Sequence, residues 1–89
     1  MKKEKILLVD DEPDILEIVS YNLKKEDYDV FTADNGKDAI KIAQKEKPDL
    51  VILDVMMPEM DGMETCYQMR NIPELKETLI AFLSARGED

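Results

Sequence analysis

Leu50-Val51-Ile52-Leu53 is an unbroken apolar run that closes on a carboxylate, Asp54, and is followed by Val55-Met56-Met57-Pro58. Such a run, without alternation and with two β-branched members, predicts a strand covered on both faces. Pro58 cannot donate to a β-ladder, so the chain has left the sheet by that position. In an open α/β sheet, ligands and chemistry gather just outside the carboxyl ends of the strands. Asp54 therefore stands where a reactive group would be. The competing reading is a loop aspartate that caps the next helix, and position alone does not separate the two.

The same pattern recurs. Ile6-Leu7-Leu8-Val9 is a second unbroken run and ends in Asp10, Asp11 and Glu12. Pro13 suits the first turn of a helix, and the acids around it suit a helix N-terminus. Ile15, Leu16, Ile18, Val19 and Leu23 then repeat at helical spacing through about Lys25. Tyr28 to Ala33 is a short β-rich run, and Asn35-Gly36 turns the chain. Ala39, Ile40 and Ala43 mark a helix over Lys37 to Glu46, which Lys47-Pro48 ends. After the strand at Asp54, a loop runs through Asp61-Gly62. Met63, Cys66, Tyr67 and Met69 give a weaker helical pattern, broken before Pro73. Leu79 to Leu83 is a further apolar run, ending in Ser84. Alternation of this kind predicts right-handed crossovers and a parallel α/β sheet with helices on both faces.

In a parallel sheet all carboxyl ends lie on one edge. The first and third strands therefore deliver Asp10, Asp11 and Asp54 to that edge, and the fourth delivers Ser84. For the carboxylates to meet, the first and third strands must be neighbours. Like charges held close either retain a proton or bind a cation. An all-oxygen cluster without His or a usable Cys selects a hard ion, Mg²⁺ or Mn²⁺. A metal-flanked carboxylate facing solvent is a plausible nucleophile toward phosphorus, giving an aspartyl phosphate. The Ser84 hydroxyl could then hold a phosphoryl oxygen. The plainer alternative is that Asp10 and Asp11 only cap a helix.

Composition narrows the class. A chain of 89 residues makes one small domain, and 37% charged with 44% hydrophobic residues is a soluble globular balance. A net charge of −9 argues against non-specific nucleic-acid binding and against adsorption to anionic membrane. The single cysteine, Cys66, excludes an intramolecular disulfide and fits a reducing compartment. At mid-helix on an apolar face it reads as core rather than redox centre. The apolar stretch behind Lys2, Lys3 and Lys5 is too short for a signal peptide or a membrane span, so a cytoplasmic location is expected.

These residues carry a family resemblance. Ile-Leu-Leu-Val-Asp-Asp-Glu-Pro, Leu-Asp-Val-Met-Met-Pro-Glu-Met-Asp-Gly and Phe-Leu-Ser-Ala-Arg-Gly-Glu follow one another along the whole chain. Together they resemble the receiver domain of bacterial two-component response regulators, in particular its transcription-factor subfamily. The resemblance implies a flavodoxin-like fold whose strands present are ordered 2-1-3-4. It implies that Asp54 accepts a phosphoryl group from the phosphohistidine of a sensor histidine kinase, in a Mg²⁺-dependent reaction. Asp11 is then the direct metal ligand beside Asp54, Asp10 acts through a metal-bound water, and the backbone carbonyl of Met56 completes the protein ligands. Ser84 matches the switch hydroxyl. Met56 and Met57 have spacer side chains, while Pro58 and Gly62 fix the loop. The domain so implied is a signalling phosphoacceptor and not an enzyme, with residual autophosphatase chemistry.

The chain also departs from the family pattern. The fifth strand, with its lysine and switch aromatic, and the last helices have no counterpart in residues 1–89, so an incomplete receiver is expected. Arg86 lies in the right loop, but its place in the motif does not make it a substitute. Removal of the fifth strand would leave Leu79 to Leu83 as an edge open to self-association. It would also uncover the sheet face beside the first helix, where part of Ile6–Val9 and Leu50–Leu53 points. One rival is a receiver-like interaction or dimerisation module that is not phosphorylated. Another, a haloacid-dehalogenase-type phosphatase, wants a second Asp two residues after the nucleophile, where this chain has Met56. No phosphate-binding glycine loop follows any strand, and any contact with DNA would need an effector domain outside these residues.

Overall fold

The computed structural model describes residues 3–83. Strands and helices alternate: β1 (Lys5–Val9), α1 (Pro13–Lys25), β2 (Asp29–Ala33), α2 (Gly36–Glu46), β3 (Leu50–Asp54), α3 (Gly62–Arg70) and β4 (Leu79–Leu83). A 3-10 turn, Pro73–Leu75, precedes β4. All pairings are parallel, and the strand order is β2-β1-β3-β4. This is the flavodoxin-like arrangement that the resemblance implies.

Local chemistry sets the helix ends. Pro13 opens α1, Asp14 lies in its first turn, and Lys24 and Lys25 in its last, all favourable to the helix dipole. Asn35 is the N-cap of α2: its side chain accepts from the Asp38 N–H at 2.8 Å. The Asn35-Gly36 pair expected as a turn is thus a cap followed by the first helical residue. Gly36 is needed there for space, since a Cβ would run into Thr65 Oγ1 and stand 2.9 Å from Met60 Sδ. Asp61 caps α3 in the same way, accepting from Glu64 N–H at 2.9 Å.

Strand pleating sorts side chains by parity. Leu7, Val9, Val51 and Leu53 join Ala39 and Ala43 of α2, Met69 of α3 and Leu75 in one buried core. Ile6 and Leu8, of opposite parity, are also buried, on the side that α1 covers. The expectation that Ile6–Val9 lies partly uncovered is therefore wrong. The α1 crossover leads from β1 to β2 and lies over those two strands, so the opening falls on β3 and β4 instead. Leu50 and Ile52 are only half-buried, and Leu79 and Ala81 are exposed. Among the described residues β4 is an edge strand, as expected, and Phe82 is exposed on its other face.

Loop anchors hold β4 in register. Thr78 Oγ1 donates to the Pro48 carbonyl at 3.0 Å, and the Leu79 N–H to the Asp49 carbonyl at 3.1 Å. The Arg70 guanidinium donates to the carbonyls of Leu75, Lys76 and Thr78 at 3.3, 3.4 and 2.7 Å.

Candidate acidic phosphoacceptor site

Parallel register brings the acids together. Val9 is paired with Leu53, so the next residues, Asp10 and Asp54, leave the sheet side by side. The β1–β3 adjacency on which the site depends is present. Asp10 and Asp54 are buried and Asp11 is exposed. One carboxylate oxygen from each lies within 4.8 Å of the others.

Each buried acid also has a backbone donor. Asp10 Oδ1 accepts from the Glu12 N–H at 2.9 Å, and Asp54 Oδ1 from the Met56 N–H at 3.2 Å. Asp10 thus supports the turn ahead of α1 and belongs to the cluster, but it does not cap the helix, whose N-cap is Glu12 with no side-chain cap hydrogen bond. Burial raises the Asp54 pKa above its ordinary value; the negative charges of Asp10 and Asp11 and a side-chain contact with Asp10 add to the rise. The Met56 N–H opposes it by favouring the carboxylate.

The donor set fits a small hard cation. Opposite ligands of an octahedral Mg²⁺ with bonds of ~2.1 Å lie about 4.2 Å apart. Two carboxylate oxygens within 4.8 Å of each other can contract to bind one ion directly, with the third placed to act through a bound water. The ligand types are all oxygen, and a divalent charge would relieve the repulsion that lifts the Asp54 pKa.

The model of the response regulator receiver domain family matches residues 6–89. The chain belongs to this family. Residues of this receiver domain are 54% identical, over 67 positions, to the alkaline phosphatase synthesis transcriptional regulatory protein PhoP of Bacillus subtilis (strain 168). That match takes in 75% of this chain and 28% of PhoP, so the chain spans roughly a quarter of the relative's length. The chemotaxis protein CheY4 of Vibrio cholerae superposes with a TM-score of 0.92 at 37% identity, covering 98% of this chain and 72% of CheY4. The BeF3-activated N-terminal receiver domain of RstA from Klebsiella pneumoniae gives 0.81 at 34% identity, covering 97% of this chain and 71% of the other.

Of the site residues expected from sequence, Asp10, Asp11 and Asp54 are brought together, and Met56 adjoins them through its N–H. The Met56 side chain is exposed, which suits a residue that acts through its backbone. Ser84 lies outside the described residues. Cys66 is half-buried and packs against the core of the receiver domain. Sequence pattern missed Thr65, which is fully buried, donates to the Asp61 carbonyl at 2.8 Å, and lies against Gly36. A polar residue one turn into a weakly periodic helix gave no signal of burial. No described helix is long and apolar enough to cross a membrane.

Proposed function

We propose that this receiver domain accepts a phosphoryl group on Asp54 from the phosphohistidine of a sensor histidine kinase, with Mg²⁺ or Mn²⁺ required. The convergence of Asp10, Asp11 and Asp54 within 4.8 Å carries the reading. Asp11 and Asp54, with the Met56 carbonyl, would hold the ion, and Asp10 would act through a bound water. The ion when bound supplies positive charge shared between the acceptor carboxylate and the phosphoryl oxygens. An Asp54 oxygen attacks phosphorus, the P–N bond breaks, and its electron pair returns to the imidazole of the donor. The Met56 N–H holds the Oδ1 oxygen of that carboxylate, leaving the other oxygen to attack. Ser84 would take a phosphoryl oxygen and act as the switch, and water attacking the aspartyl phosphate would give slow self-dephosphorylation.

A cytoplasmic setting fits a histidine-kinase donor. For residues 1–89 taken alone, a second copy would be a further partner through the β4 edge, whose Leu79 and Phe82 are exposed. Phe82→Lys should then lower the sedimenting mass at micromolar concentration. Any action on DNA would belong to parts of a longer protein.

The deciding experiment is phosphotransfer from a phosphorylated kinase, with Mg²⁺, to a protein carrying these residues within a full-length receiver. Label should reach Asp54 alone, and Asp54→Asn should abolish it. Label retained by Asp54→Asn would place the acceptor elsewhere.

A further inference from the structure

β2 forms one edge of the sheet, and its paired side fixes what its free side offers. The Asp29 N–H donates to the Glu4 carbonyl at 2.9 Å, and the Ala33 carbonyl accepts from the Asp10 N–H at 3.1 Å. In a parallel ladder a residue turns both backbone groups to one neighbour, and the next residue turns both the other way. Asp29, Phe31 and Ala33 therefore face β1, while the N–H and C=O of Val30 and Thr32 point out of the sheet. Among the described residues no strand or loop pairs with them. The strand has no Pro, no Lys and no break in register, the features that commonly blunt an edge.

This edge is the floor of a groove of about 410 Å³. Leu16 of α1 lines it on one side and Asp38, Lys41 and Ile42 of α2 on the other, with Thr32, Ala33 and Asp34 between them. Because α1 and α2 cover opposite faces of the sheet, a space lined by both lies beyond the edge, where a further strand would run. Leu16 and Ile42 are only half-buried, and a strand placed there would turn alternate side chains toward each of them. The charge of the lining is net negative. Asn35 Nδ2 donates to Asp34 at 2.7 Å and to Asp38 at 3.1 Å, so one side chain holds both carboxylates. Among the described residues neither acid pairs with a Lys or Arg.

We propose that the β2 edge is a strand-addition site for an extended, basic segment of a partner protein. The segment pairs with the backbone of Val30 and Thr32, lays alternate apolar side chains against Leu16 and Ile42, and sets an Arg or Lys at Asp34 and Asp38. Outward-facing donors and acceptors on alternate residues call for a strand, and the unpaired acids call for a cation. A second copy of the chain fits less well: antiparallel pairing of two β2 strands would bring Asp29 of each copy to the Asp34 end of the other, acid against acid. No carboxylate of the Asp10, Asp11 and Asp54 cluster takes part, so the site stands apart from the phosphoacceptor reading.

The test titrates the full chain, observed by amide NMR, with a capped synthetic heptapeptide of alternating valine and threonine with arginine at both ends. Saturable shifts should centre on Val30, Thr32 and Ile42. The same peptide N-methylated at every residue keeps the charge but loses the donors, and it should not bind. Glutamate ends in place of arginine should weaken binding about fivefold or more. Thr32→Pro should fold, because that N–H lies outside the ladder, and should lower affinity about five- to tenfold, the loss of one ordinary hydrogen bond. Should Thr32→Pro fail to fold, Asp34→Lys decides, since it should reverse the preference between arginine and glutamate ends. No saturable binding at millimolar peptide overturns the proposal, as does equal binding of the N-methylated form. Wild-type affinity in folded Thr32→Pro, or an unchanged preference in Asp34→Lys, overturns it too. A dimer that Thr32→Pro dissolves would make the occupant a second copy and overturn the basic partner.

Discussion

On the α2/α3 face of the sheet, Leu7, Val9, Val51 and Leu53 are all fully buried. On the α1 face, Ile6 and Leu8 are buried, while Leu50 and Ile52 are half-buried and Leu79 and Ala81 exposed. The residues are equally apolar, and they alternate along the same strands. What differs is cover. Over β1 and β3, two helices and the Pro73–Leu75 turn close the first face, leaving only Phe82 of β4 exposed there, whereas α1 reaches only β1 and β2. No residue of α1 is itself buried. A strand run can thus declare itself fit for burial on both sides, but the helices decide which side is closed.

The largest expected effect breaks the comparison directly. Leu7→Ala, on the closed face, should cost about 2–5 kcal/mol, because close-packed surroundings collapse poorly around a lost side chain. Ile52→Ala, on the open face, should cost only about 1–2 kcal/mol, since less apolar area is withdrawn from water there. Urea unfolding with unchanged m-values measures both. Equal losses would mean that the two faces are equally closed.

A smaller effect sharpens the picture at β4. Arg70 reaches three carbonyls just before that strand from the closed side of the sheet. Arg70→Ala should cost roughly 1–2 kcal/mol, discounted because the arginine is exposed. Hydrogen exchange should quicken at Ile80 to Leu83 and not at Ile6 to Val9. Uniform quickening across both strands would show that Arg70 supports the whole domain rather than its edge.

The smallest effect concerns the rim where the two faces meet the acids. The Asp54 pKa is raised on folding above its ordinary value of 3.8. Between the unfolded and folded values the native state binds more protons, so stability falls as pH rises through that window. Above the folded value the penalty is fully present; below the unfolded value it is gone. Metal-free Asp54→Asn should therefore melt higher than wild type at neutral pH, with the gap closing as pH falls to the unfolded value. Saturating Mg²⁺ should narrow the gap from the other direction. A constant gap across pH, read by thermal melts, would mean that Asp54 is not the titrating group.

Much of this was legible before any coordinates. Unbroken apolar runs located β1, β3 and β4 because a strand covered on both faces needs no polar alternation, and helical spacing placed α1 and α2. Position-specific motifs carried the site: an acid at the end of each of two strands points to a shared edge once the sheet is parallel. Close approach was not legible. Gly36 and Gly62 both looked like turn residues, yet each begins a helix, and each is glycine because another segment occupies the space of a Cβ.

The sequence by itself determined which segments become strands and helices, where the acids fall relative to strand ends, and that their donors are all oxygen. These are local properties, set by periodicity, capping and side-chain chemistry. The pairing of β1 with β3 came from family resemblance and not from the residues themselves, and the tertiary structure bears it out, so that Asp10 and Asp54 emerge side by side; only the tertiary structure decided that α1 covers Ile6 and Leu8 but not Ile52. It alone decided that α3 docks on the backbone of the acceptor strand. The reason is physical: pairing and cover depend on what distant segments bring to the same place, and no residue encodes its neighbour across the sheet.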